Sequence, residues 1–165
     1  MNGRMELWIR EGNGAALLLS HAFVVILAAA AVHDIRTKKI PDRYSMAVAL
    51  LALGSFFCVP EISIASRCAG ALCISVPMLL LAGVRPGAFG GGDIKLMAAG
   101  GLFLGIKAAV LSAFLAFFFG GVVCMALLFT KQKNRAEAIV FGPFLCLGMV
   151  IALLFGGRIW GWIFL

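Results

Sequence analysis

The chain has few charged residues. Only 13% of its 165 residues are Asp, Glu, Lys or Arg, whereas 63% are hydrophobic. A soluble domain carries about a quarter charged residues and could not bury so large an apolar fraction. The composition therefore excludes an ordinary soluble protein and indicates an integral membrane protein.

Acidic residues are scarcer than basic ones, at 7 against 14, which gives a net charge of +7. Nucleic-acid binding would require a basic surface that faces water. Here the basic residues stand in short connectors between apolar runs. We therefore expect no nucleic-acid partner, and we attribute the positive charge to membrane topology, with membrane lipids as neighbours.

Cysteine pairs of the metal-binding kind are missing. The five cysteines form no C-x-x-C pair and no Cys/His cluster with zinc spacing. A structural zinc site is therefore not expected, and we predict that the cysteines pack as small apolar side chains. One alternative remains open, in which Cys58 and Cys68 meet in an external loop.

Six apolar runs divide the chain, at about 15–32, 44–60, 66–84, 94–107, 108–130 and 138–157. Most approach the ~20 residues that a membrane-spanning helix needs. The sequence thus predicts one all-α, polytopic membrane domain over residues 1–165, with about six transmembrane helices. The fourth run would reach only about 21 Å, so we expect the glycine-rich loop before it to dip into the bilayer.

The basic residues also predict an orientation. The connectors at 33–43, 85–95 and 131–137 hold 9 of the 14 basic residues. By the positive-inside rule these connectors lie in the cytoplasm and both termini lie outside it. We expect a multi-pass protein of the cytoplasmic (inner) membrane, with Asp34 and Asp93 on its cytoplasmic face.

Two acidic residues stand at the ends of apolar runs. Asp34 ends the first run, and Asp93 follows three glycines at the start of the fourth. Acids at membrane depth are costly and commonly functional. Two neighbouring carboxylates can share one proton, so that together they activate water and polarise a peptide carbonyl. The pattern is typical of peptide hydrolysis by an aspartate pair whose titration belongs to both members.

Structural alternatives exist for both acids. Asp93 could cap the helix that starts at Ile94, and Asp34 could pair with Arg36 or Lys38. If neither acid is catalytic, the chain fits a small channel, a transporter subunit or a membrane scaffold in which the two carboxylates line an ion path.

Three nearby residues also have alternative interpretations. Asp42 follows Pro41 and is interpreted as the N-cap of the second helix. Lys95 could orient Asp93 or hold a lipid head group, or it could simply anchor the interface. His33 is interpreted as a bystander of Asp34.

Three segments resemble the motifs of type IV prepilin peptidases. Asp34, followed after five residues by Ile40-Pro41-Asp42, resembles the first aspartate motif. The segment 90–93 is similar to the Gly-x-Gly-Asp motif, with Lys95 at the lysine that often follows. The segment 141–144, Phe-Gly-Pro-Phe, resembles part of the last helix, although Val140 stands where the family often has proline.

The resemblance implies an aspartic endopeptidase that removes the basic leader of prepilins or pseudopilins at the cytoplasmic face, without a metal ion or cofactor. It implies that Asp34 and Asp93 are the catalytic pair. Gly90 and Gly92 would shape the loop, and Gly142 would bend the last helix together with Pro143. Further residues of the substrate or loop region would be Pro41, Asp42 and Lys95.

The resemblance also implies a short form of the enzyme without the N-terminal methyltransferase region, because no C-x-x-C pair is present and the predicted connectors are short. The Ile40-Pro41 motif argues against a protease of the presenilin kind, which shares the Gly-x-Gly-Asp signature. Neither the particular prepilin nor the oligomeric state follows from the sequence.

Overall fold

The computed structural model describes residues 13–85, 87, 89–129 and 140–164. These residues form five helices and no strand: α1 (Gly14–Thr37), α2 (Asp42–Cys58), α3 (Ile64–Val84), α4 (Gly91–Phe129) and α5 (Gly142–Phe164). Within the described ranges, α1, α3, α4 and α5 are long and apolar enough to cross a membrane. The expected all-α, multi-pass membrane fold is confirmed. The count of about six spans stays a prediction, because α2 has only 17 residues.

Helix α4 reverses direction at Gly105. This residue has φ 73° and ψ 168°, a conformation that favours glycine and interrupts the helix. A straight helix would separate Phe89 from Phe117 by about 40 Å at ~1.5 Å per residue, but their ring centroids are 6.0 Å apart. The two halves of α4, 91–104 and 106–129, therefore fold back on each other. The boundary between the fourth and fifth predicted runs lies at this glycine, slightly before the expected position.

The break in α4 leaves backbone N–H and carbonyl groups without partners in their own helix, and side chains of α3 form hydrogen bonds with them. The Ser66 hydroxyl accepts a hydrogen bond from the Ile106 N–H at 3.2 Å, and Arg67 Nη1 donates to the Leu102 carbonyl at 3.2 Å. Irregular backbone at membrane depth persists only where such partners surround it. Two consecutive residues of α3 thus stabilise both sides of the reversal.

Arg67 is the largest fully buried side chain among the described residues. The sequence pattern did not predict this burial. Its guanidinium donates five hydrogen bonds and stacks on the Phe56 ring at 4.6 Å. The acceptors are the Ser55 hydroxyl and the carbonyls of Ser55, Val59, Ile62 and Leu102. Its charge thus faces the negative carbonyl ends of α2 and of the first half of α4.

A buried stripe along α1 leads to the first aspartate. Ser20, Phe23, Leu27, Ala30 and Asp34 repeat every three or four residues and are all buried. This spacing places them on one helix face. The same face that packs the bundle therefore points the Asp34 carboxylate inward.

All five cysteines are free thiols. Cys58 is half-buried and Cys68 is exposed, and the disulfide that the sequence left open between them does not form.

Candidate active site

Asp34 lies in the last turn of α1 with only 5% of its surface exposed. Its Oδ2 accepts a hydrogen bond from the backbone N–H of Gly142 at 3.1 Å. The backbone N–H of Lys38 donates a hydrogen bond to the backbone carbonyl of Asp34 at 2.7 Å. The Lys38 side chain forms no ion pair with Asp34. Within the described ranges, the single salt bridge joins two other residues, so the predicted alternative of an Asp34 ion pair with Arg36 or Lys38 is wrong.

Gly142 is required at its position by the closeness of Asp34. A Cβ atom there would collide with the carboxylate and would lie 2.8 Å from Ile40 Cδ1. Gly142 and Pro143 form the start of α5, where a proline without an N–H is readily accommodated. The expectation that these two residues bend the last helix was therefore wrong. They begin the helix and aim an N–H group at Asp34.

Asp93 is the third residue of α4, and its Oδ2 accepts a hydrogen bond from the Gly90 N–H at 3.3 Å. This contact has the form of a capping box, in which a side chain at the third helical position reaches back to the cap residue. The structural alternative, in which Asp93 caps the start of its helix, therefore accounts for Oδ2. The other oxygen, Oδ1, is buried without a hydrogen-bond partner among the described residues, an arrangement that is unfavourable for stability alone.

The two carboxylates are near enough for the charge of Asp34 to act on Asp93. Ile40, which is 8% exposed, packs against the backbone on both sides of the pair. Its Cδ1 faces Gly142, and its carbonyl would lie 2.5 Å from a Cβ placed on Gly92. Gly92 therefore permits a close backbone approach. At Gly90 an added Cβ would lie 3.2 Å from Asp93 Oδ2.

Asp42 and Lys95 form an exposed ion pair of 2.6 Å between the starts of α2 and α4. The N-cap of α2 is Pro41, without a side-chain hydrogen bond, and Asp42 is the first helical residue. The predicted N-cap role of Asp42 was therefore wrong. Lys95 binds Asp42, and His33 packs its ring on Tyr44 with centroids 5.7 Å apart.

Comparison with known proteins identifies the family of this chain. Residues 21–125 match the model of the type IV leader peptidase family. The chain belongs to this family. It is 28% identical to a prepilin leader peptidase/N-methyltransferase of Bacillus subtilis (strain 168), over 92% of this chain and 61% of that protein. Proteins of the same name from Legionella pneumophila and Pectobacterium carotovorum subsp. carotovorum are each 31% identical, over 88% and 93% of this chain and 53% of either relative.

The chain thus spans between about half and three fifths of the length of these relatives. No solved structure matches it. The leader peptidase match includes Asp34 and Asp93 and ends before the segment 141–144, so the contact between Asp34 and Gly142 rests on the structure.

Sequence reasoning missed several residues of this candidate site. Phe89, Phe117 and Phe141 form an aromatic cluster beside the two glycine donors. Cys146 is buried one turn after Gly142, within electrostatic reach of both carboxylates. The spacing of four residues from Gly142 to Cys146 could have indicated that these two share a helix face. Nothing in the sequence pairs Phe89 with Phe141.

Proposed function

We propose that this chain is a membrane aspartic endopeptidase that removes the leader of prepilins or pseudopilins, with Asp34 and Asp93 as its catalytic pair. One observation carries the proposal. Two buried carboxylates from different helices lie beside glycines that both contact Ile40, and one oxygen of each is held by a glycine N–H. Family membership and the similarity to prepilin leader peptidases support the same substrate class.

The proposed reaction needs one proton shared by the pair, because two close carboxylates do not both ionise readily. The ionised member takes a proton from water as the water oxygen attacks the scissile carbonyl carbon. The protonated member hydrogen-bonds the carbonyl oxygen, and a proton passes to the amine as the C–N bond breaks. Asp93 Oδ1 has no hydrogen-bond partner among the described residues, so it is the oxygen best suited to contact water or substrate.

The proposed reaction uses no metal ion or cofactor. The glycine N–H groups leave one oxygen of each carboxylate outside these two hydrogen bonds. Either carboxylate therefore has an oxygen that can hold the shared proton. The roles of general acid and general base belong to the pair and not to one aspartate.

Reconstitution of the purified protein in lipid vesicles tests this function directly. With a synthetic prepilin that carries a basic leader, we expect mass spectrometry to find the cleaved leader. The channel alternative predicts ion flux and an intact peptide. Adding S-adenosylmethionine to the same reaction tests the expected lack of methyl transfer, since a methylated product would contradict it.

Gly142→Ala should lower the cleavage rate by roughly a hundredfold, because small displacements of a catalytic group have effects of that size. The added methyl group would displace Asp34 from its N–H donor. Gly91→Ala is a matched control, since no atom outside its own helix lies within 4 Å of a Cβ there. Equal rates for the two variants, measured on the synthetic prepilin, would contradict this assignment.

The proposed orientation places the catalytic pair at the cytoplasmic face of the inner membrane, in a chain with six crossings. The reversal of α4 at Gly105 supports two crossings by its two halves, and the length of the first half, about 21 Å, supports an active-site loop below the membrane surface. Reporters fused after Thr37 should be cytoplasmic and those near Pro60 external. The opposite pattern would reject this orientation.

A further inference from the structure

The hydrogen-bond donors of the two carboxylates share an unexpected feature. Gly90, which donates to Asp93, directly follows Phe89, and Gly142, which donates to Asp34, directly follows Phe141. The two phenylalanine rings contact each other edge to face, with centroids 5.7 Å apart and planes at 62°. Two segments about 50 residues apart are thus joined immediately beside the atoms that hold the carboxylates.

A third ring fixes this contact to the bundle. Phe117, from the second half of α4, lies 6.0 Å from the Phe89 centroid and 5.2 Å from the Phe141 centroid. Gly120, one turn further along, leaves the space for Phe141, because a Cβ there would lie 2.9 Å from Phe141 Cε2. The three rings therefore form one cluster, which packs on the second half of α4, and neither donor glycine belongs to that segment.

We propose that Phe89 and Phe141 are positioning residues of the aspartate pair, and this inference rests on the proposed peptidase function. Their ring contact sets the distance between the Gly90 and Gly142 N–H groups. Each N–H in turn holds one carboxylate oxygen. The cluster thereby fixes the separation of Asp34 and Asp93, on which sharing of one proton depends. Neither phenylalanine touches the reacting atoms in this assignment.

Hydrogen exchange tests the coupling without relying on catalysis. We expect Phe141→Leu to increase amide exchange of the peptide that contains Gly90 by roughly two- to tenfold, the range of one aromatic pair. Phe89→Leu should do the same to the peptide that contains Gly142. Phe118→Leu is the matched control, because its ring contacts Phe114 and Phe119 instead. Unchanged exchange of α3 verifies that each variant is folded.

The kinetic test separates positioning from a general loss of stability. Phe89→Leu and Phe141→Leu should each lower kcat by about tenfold with little change in KM, and should shift the pH profile of kcat. The kcat of the double variant should fall by about the same factor as that of one single variant, since either change breaks the same ring contact. Phe89→Tyr, which retains a ring, should restore most of the rate.

Two results would overturn the inference. One is exchange at the distant glycine that matches the Phe118→Leu control, and the other is kinetic losses that multiply in the double variant. If the wild-type protein cleaves no prepilin while the exchange effects appear, the peptidase proposal fails and the ring coupling stands. If cleavage occurs and the exchange effects are missing, the coupling fails and the peptidase proposal stands.

Discussion

Asp34→Asn and Asp93→Asn should each reduce prepilin cleavage by roughly ten-thousandfold or more, because a pair that lacks one ionisable member can no longer both activate water and polarise the carbonyl. Both variants should still insert in the membrane, since asparagine keeps the side-chain volume. Each rate is measured by mass spectrometry on the reconstituted protein. The double variant should be no slower than either single one, because the two residues act as a unit.

Asp42→Asn is the internal control for this series. Its carboxylate is exposed and pairs with Lys95, and such surface pairs contribute about 1 kcal/mol or less. Near-normal cleavage is therefore expected. The wild-type rate should depend on pH through two coupled ionisations. Normal processing by either catalytic variant, or an activity lost to a chelator and restored by zinc, would contradict the aspartate mechanism.

Arg67→Met should destabilise the folded protein by about 3–5 kcal/mol, because several buried oxygens lose their donor and each buried unsatisfied acceptor costs about 1–3 kcal/mol. The variant loses five hydrogen bonds and leaves carbonyl oxygens of Ser55, Val59 and Leu102 without this donor. Unfolding of the detergent-solubilised protein by denaturant measures the change. Arg67→Lys should recover little of the loss, because an ammonium group cannot reproduce the planar fork of donors.

Arg85→Met provides the comparison for Arg67, since Arg85 is exposed at the end of α3. We expect its free energy of unfolding to stay within about 0.5 kcal/mol of the wild-type value. Equal destabilisation by the two substitutions would mean that the buried network of Arg67 has no special part in the stability of the fold.

Much of the fold could be predicted from apolar runs, because lipid imposes long helices whose length and composition are local properties of the sequence. The positions of the two aspartates near helix ends could be predicted as well, whereas their catalytic role stays a prediction. The contact of Asp34 with Gly142 could not, because it joins residues 108 positions apart. The only sequence signal for this contact was the resemblance of the segment 141–144 to a family motif, and that resemblance suggested a bend in the last helix instead.

Arg67 escaped prediction for a different reason. Hydropathy counts an arginine as exposed, yet burial depends on whether several carbonyls converge on one guanidinium, and this convergence is a property of the packed helices. The role of Asp42 was mispredicted at shorter range. Pro41 occupies the cap position before Asp42. The residue that Asp42 does bind, Lys95, is 53 positions away in the chain.

The position of the partners of Arg67 has a consequence for biosynthesis. Four of its five hydrogen bonds go to Ser55, Val59 and Ile62, which all precede it in the chain. The ribosome delivers these acceptors before the arginine itself. A charged side chain that enters the bilayer alone is costly, but here α2 and the turn after it can receive the guanidinium as α3 emerges. Leu102 then adds the fifth bond when α4 arrives.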